Sequence, residues 1–212
     1  VEFFGDSEAE CKDKLAKLEE TMARAHTGYA FTRALDAESQ QNILAVRKSG
    51  LGLLLGMKGD RKPIAFVEDS AVAPENLAEY IRRFDEIVRA HDTSAAYYAH
   101  ASVGLLHIRP LIDLKQVTEV EKMRSISRAI SDLVMEYGGA ISGEHGDGLS
   151  RSEYTEKFFG AELYGAFKEL KHTFDPQNLL NPGKITNAQT MIENLRFGSG
   201  YRARPVKTHF SF

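Results

Sequence analysis

The sequence predicts an α+β fold, a ferredoxin-like antiparallel sheet covered by helices, with a helical C-terminal part. Three observations carry this. Segments with apolar residues every three or four positions alternate with short apolar or alternating runs, the pattern of helices packed on a sheet. The order strand, helix, strand, helix, strand, helix, strand, strand, helix suits a split β-α-β arrangement. No glycine-rich fingerprint follows an early strand, which disfavours a parallel dinucleotide-binding sheet.

Val1 to Phe4 reads as a strand entered in mid-sentence, without an initiator Met or a signal pattern, so the chain is expected to be cut from something longer. Ser7-Glu8-Ala9-Glu10 fits a capping box, after which Cys11, Leu15, Leu18, Met22 and Ala25 form one stripe of a helix. Tyr29 to Leu35 is expected as a short strand. Asp36 caps a second helix running to about Lys48, with Ser49-Gly50 as its stop. Gly59 to Pro63 reads as an exposed turn and Ile64 to Glu68 as a strand.

Pro74 opens a helix whose Leu77, Tyr80, Ile81, Phe84, Ile87 and Val88 share one face. Ala95 to Ala99 and Leu105 to Ile112 are two strands joined at residues 100–104. Thr118 to Glu121 begins the next helix, with Val120, Met123, Ile130, Leu133, Val134 and Tyr137 on its buried side and Gly138-Gly139 as its stop. Ser152 to Lys171 is helical with a break at Gly160. Residues 1–185 form the principal domain, and residues 186–212, with Gly198, Gly200 and Pro205, read as a tail or linker toward a further region.

With 42% hydrophobic and 27% charged residues the chain can bury a real core. A net charge of -3 gives no footprint for nucleic acid. No apolar run reaches the roughly 18 residues of a membrane span. The single cysteine, Cys11, excludes an internal disulfide and reads as a small buried thiol in a reducing compartment; a cytoplasmic location, associated at most peripherally with a membrane, is expected.

Candidate chemistry gathers in Gly139-Ala140-Ile141-Ser142-Gly143-Glu144-His145-Gly146-Asp147-Gly148, where two carboxylates and an imidazole sit among four glycines. Glycine admits close backbone approach to a ligand, and titratable side chains on such a loop are placed for chemistry. His100 and His107 flank the turn between two strands, and Arg109 shares the His107 face by strand alternation. Two readings stay open. With Glu144 the histidines make a two-His, one-carboxylate set for a divalent transition metal; otherwise they are satisfied structural groups on separate faces. Arg109 either grips a substrate carboxylate with its planar fork or pairs with Asp113 or Glu144. His145 suits a proton acceptor for a substrate hydroxyl, or is a solvated loop histidine.

The segments Ser142 to Gly148 with Arg151, and Phe174-Asp175-Pro176 through Leu180-Asn181-Pro182-Gly183-Lys184-Ile185, resemble the C-terminal domain of FAD-linked oxidases of the vanillyl-alcohol-oxidase type. Within it, the branch of glycolate oxidase, D-lactate dehydrogenase and D-2-hydroxyglutarate dehydrogenase is indicated. Tyr98-Ala99-His100 through Gly104-Leu105-Leu106-His107 is similar to that branch's His-containing strand pair. The resemblance covers roughly residues 1–185, and Glu193 to Gly198 is similar to the join before an iron–sulfur region in longer members.

It implies a substrate-binding cap over FAD held mainly by a separate N-terminal domain, in an enzyme oxidising a small D-2-hydroxy acid. By resemblance His100, His107 and Glu144 are metal ligands for zinc or manganese. His145 faces the hydroxyl-bearing carbon as base and contacts substrate, and Arg109, read from its own chemistry, is expected to contact substrate beside it. Asn181 and Glu144 lie toward the flavin. Implied partners are the FAD-binding domain and an iron–sulfur region or other electron acceptor; an apolar face exposed where the flavin domain should sit is expected to favour pairing with a second copy of the chain. Two positions depart from the family pattern: Ser102-Val103-Gly104-Leu105 replaces glycine-aspartate-glycine-asparagine, and Arg109 replaces an asparagine. A non-catalytic ferredoxin-like ligand- or metal-binding module, or a metal hydrolase using the same residues on water, are the competing readings.

Overall fold

The computed structural model describes residues 1–202 together with Lys207 and His209; Pro205, expected in the tail, lies outside the described residues. The chain divides into Val1–Leu53 and Leu54–Phe212.

The first unit is helical. α1 (Glu8–Arg24) begins where expected, with the Ser7 hydroxyl accepting the Glu10 N–H at 3.2 Å. The box is only half formed, because the Glu10 carboxylate accepts from Asp6 N–H rather than from Ser7. Val1 to Phe4 and Tyr29 to Leu35 are not strands: both are irregular segments. Short apolar runs carry no information about a pairing partner, and neither run has one. α2 (Ala37–Leu55) runs past the expected stop at Ser49-Gly50 and carries Gly50 and Gly52 within it. Glycine in a helix interior costs only about 1 kcal/mol and does not by itself end the helix. The Asp36 carboxylate accepts the Ser39 N–H at 2.8 Å, as a cap should.

The second unit is built on β4 (Leu105–Ile112), where alternation places Leu106, Ile108 and Ile112 in the core and His107 and Arg109 on the opposite face. β3 (Ala95–His100) lies antiparallel along one edge, with Tyr98 facing His107 and His100 facing Leu105. The other edge is shared by two short strands, β1 (Lys62–Pro63) and β2 (Ser70–Ala71). The strand expected over Ile64 to Glu68 is instead the interruption between them. Pro63 faces Leu111 while Ser70 faces Leu106, so the segment joining them carries two more residues than the strand it faces. This is a bulge of two residues, and bulges re-aim side chains. Asp69 within it has φ 85°.

A 3-10 turn at Pro74–Asn76 leads into α3 (Leu77–Ala90), which buries Tyr80, Phe84 and Val88. α4 (Val117–Glu136) buries Met123, Ile126, Ile130, Leu133 and Val134. These two amphipathic faces meet Leu106, Ile108 and Ile112 in one core. α4 stops at Gly138, whose φ of 61° suits glycine. The chain then runs through the glycine-rich loop into α5 (Gly148–Arg151) and α6 (Thr155–Phe174), the latter kinked at Gly160 as expected. Beyond α6, Met191 is buried in the core, and its N–H is taken by the Glu153 carboxylate at 2.8 Å. No described helix is long and apolar enough to cross a membrane.

Candidate active site

The glycine-rich loop is pinned to the bulge by one buried side chain. The Asp69 carboxylate accepts the Ser142 hydroxyl at 2.5 Å and the N–H groups of Glu144 and His145, each at 2.9 Å. The Asp69 carbonyl takes the Gly143 N–H at 2.8 Å, and Ala71 exchanges two backbone bonds with Ala140. Burial pushes the Asp69 carboxyl up, but these donors outweigh it and hold it below the usual carboxylate range. A Cβ at Gly143 would stand 2.1 Å from Leu105 Cδ1, so any side chain there would have to displace the buried Leu105 side chain. Arg151, itself buried, donates to Glu68 O at 3.1 Å and to Gly146 O at 2.6 Å, closing the loop from behind.

The pinned loop carries Glu144 to the open face of β3 and β4. One carboxylate oxygen, Glu144 Oε1, stands 3.1 Å from His107 Nε2, 3.2 Å from His145 Nε2 and 3.7 Å from His100 Nε2. His107 and His145 are stacked with ring centroids 5.0 Å apart, and His100 meets His107 edge-on at 5.2 Å. The expected His100, His107, Glu144 set is thus brought together, and His145 joins it. Antiparallel pairing explains the first two: His100 is the diagonal neighbour of His107 across the strand pair.

Burial lowers the His107 pKa, against the opposing pull of Glu144. That favours neutral imidazole, the form that binds metal. His107 Nδ1 is buried without a hydrogen-bond partner. Asp69, His107, Glu144 and His145 each offer an atom within 4.8 Å of the others. Asp69 accepts three hydrogen bonds from the loop, which leaves His107, Glu144 and His145 as the more open donors of this group, with His100 Nε2 beside it at 3.7 Å from Glu144 Oε1.

Arg109 does not pair with Asp113 or Glu144. Its Nε donates to Glu68 Oε2 at 2.6 Å, and Glu68 Oε1 lies 3.6 Å from His145 Nδ1. Glu68 and Asp69 are the two residues that sequence reasoning missed. A Glu-Asp pair after an apolar run reads as a strand end; only the strand pairing reveals the bulge that turns both inward. Asn181 lies outside the imidazole cluster, exposed in the loop after α6 with φ 47° and flanked by exposed Leu179, Leu180 and Ile185. That loop is held by Asp175, whose carboxylate accepts Lys171 Nζ and the N–H groups of Leu179 and Leu180, the latter two at 2.9 and 2.8 Å. A cleft of about 430 Å³ lies along the glycine-rich loop, lined also by Asp147, Thr155, Phe158 and Phe159.

The family model described as FAD linked oxidases, C-terminal domain, matches residues 1–185. Among curated proteins, D-2-hydroxyglutarate dehydrogenase of Escherichia coli (strain K12) is 40% identical over 190 residues, 87% of this chain and 19% of that protein. Glycolate oxidase subunit GlcD of Bacillus subtilis (strain 168) is 32% identical, covering 84% of this chain and 34% of its own length. D-lactate dehydrogenase of Archaeoglobus fulgidus is also 32% identical, covering 82% and 36%. The chain therefore spans a minor part of each relative it matches.

Proposed function

This chain belongs to the FAD linked oxidase C-terminal domain family, and from that premise we propose that it is the substrate-facing cap of a flavin-dependent dehydrogenase or oxidase. Its substrate is a small D-2-hydroxy acid of the glycolate, D-lactate or D-2-hydroxyglutarate type, which becomes the 2-oxo acid. The printed names of the relatives support the substrate class. The observation that carries the chemistry is the convergence of three imidazole Nε2 atoms on Glu144 Oε1, beside a loop whose His145 backbone is anchored by Asp69.

In this reading His145 accepts the proton of the substrate hydroxyl as the C2–H bond breaks. Its Nδ1 stands 3.6 Å from Glu68 Oε1, on the side of the ring away from Glu144. Arg109 uses Nε on Glu68 and keeps its two terminal nitrogens for the substrate carboxylate. Bound flavin supplies the acceptor for the hydride leaving C2.

The exposed apolar residues around Asn181 fit a loop covered by another body, and we assign that body as the FAD-binding domain, with Asn181 and Glu144 nearest the flavin. The imidazole and carboxylate donors fit zinc or manganese held by His100, His107 and Glu144. Such an ion supplies positive charge for the substrate carboxylate and the developing alkoxide. An iron–sulfur region or another electron acceptor, and a second copy of the chain, complete the proposed partners, in a cytoplasmic or peripherally membrane-associated enzyme.

In the full-length protein His145→Ala is expected to lower turnover by about 100-fold or more, the usual contribution of general base catalysis. A loss below about tenfold removes His145 from that role.

A further inference from the structure

Residues two apart on a strand share a face at a spacing of about 7 Å. The Arg109 guanidinium, a permanent cation, therefore stands beside His107 of the imidazole cluster. A divalent cation bound there would meet that charge in a partly buried setting, where water screens poorly. Left alone, Arg109 would oppose the metal.

It is not left alone. Glu68 is 6% exposed, and its carboxylate lies between Arg109 and His145, on the edge of the imidazole cluster. One oxygen takes the Arg109 Nε–H at 2.6 Å and the other faces His145 Nδ1 at 3.6 Å. The main chain of Glu68 is anchored separately, through its carbonyl to Arg151, and the loop itself hangs on Asp69. The Glu68 side chain is thus free of the duty of holding the loop.

We propose that Glu68 is the counter-charge that lets Arg109 and a divalent cation occupy neighbouring places, and a positioning residue for both Arg109 and His145. This rests on the metal reading given above. It makes the sequence departure at position 109 intelligible: arginine there is compatible with a metal because the bulge delivers a carboxylate to meet it.

The test is zinc binding by the full-length protein, measured by calorimetric titration and by metal content in mass spectrometry. Wild type, Glu68→Gln, Arg109→Gln and the double variant are compared, with circular dichroism confirming the fold of each. Removing a group that orients metal ligands commonly lowers affinity by about 10- to 100-fold. Glu68→Gln is expected to bind zinc about tenfold more weakly or worse. The double variant is expected to recover most of that loss, since the uncompensated cation has gone. Equal affinity in wild type and Glu68→Gln overturns the counter-charge role while leaving the metal site standing. A double variant as weak as Glu68→Gln overturns it too, because the carboxylate would then be acting through structure rather than charge. A wild type that takes up no zinc overturns the metal reading itself, and this inference with it.

Discussion

Asp69 shows how much of the site depends on a residue with no chemistry of its own. Three hydrogen bonds occupy it, and that one carboxylate fixes the backbone N–H groups of both Glu144 and His145. Asp69→Ala leaves a hydroxyl and two N–H groups without their acceptor, each costing about 1–3 kcal/mol if it stays buried. We expect a stability loss of about 3 kcal/mol in chemical denaturation, since some of these groups reach water. Turnover in the full-length protein should fall as well, because Glu144 and His145 lose their shared anchor. Unchanged turnover would mean that the loop holds its shape by its glycines and by Arg151 alone. At this scale the sequence was half legible. His100, His107, Glu144 and His145 were recognisable as residue types that do chemistry, and they do converge. Glu68 and Asp69 were not, because their importance comes from a mismatch in strand length that no local pattern records.

Among the elements, those that were legible are those with two-sided constraint. α3 and α4 each bury one face and expose the other, so their periodicity is written into the residues, and β4 sets Leu106, Ile108 and Ile112 in the core with the half-buried Arg109 and Leu111 between them. Val1 to Phe4, Tyr29 to Leu35 and the far end of α2 have no such contrast. α2 has no fully buried residue, and a helix that buries little leaves little pattern to mark its end. The β3–β4 connection depends on Gly104, with φ 72° and a place where a Cβ would stand 1.8 Å from Val72 O. Gly104 also accepts the Val72 N–H at 3.1 Å, tying the connection to the end of β2. Gly104→Ala combines left-handed strain of about 1–2 kcal/mol with a backbone clash. A destabilisation above about 2 kcal/mol in urea unfolding is expected. A neutral result would show that the turn relaxes without disturbing its neighbours.

For the molecule as a whole, stability at low pH has an identifiable contributor away from the imidazole cluster. Lys171, with backbone N–H groups of Leu179 and Leu180, depresses the Asp175 pKa to about 2. A depressed carboxylate contributes stability above its unfolded pKa and loses it as pH falls through the folded one. Wild type should therefore melt higher than Asp175→Asn at pH 7, and the difference should shrink as pH is lowered from about 4 toward about 2. A constant difference across that range would assign the effect to shape rather than charge.

The interruption between β1 and β2 bears on how this architecture is inherited. A sheet gains nothing from two surplus residues in an edge strand; without them the ladder against β4 would run in unbroken register. The two surplus residues serve the site instead, since they make the room in which Glu68 and Asp69 turn toward Arg109 and the glycine-rich loop. Length in this segment is therefore a diagnostic separate from the histidines. A chain that keeps every imidazole but is two residues shorter here would have surrendered the carboxylates that organise them.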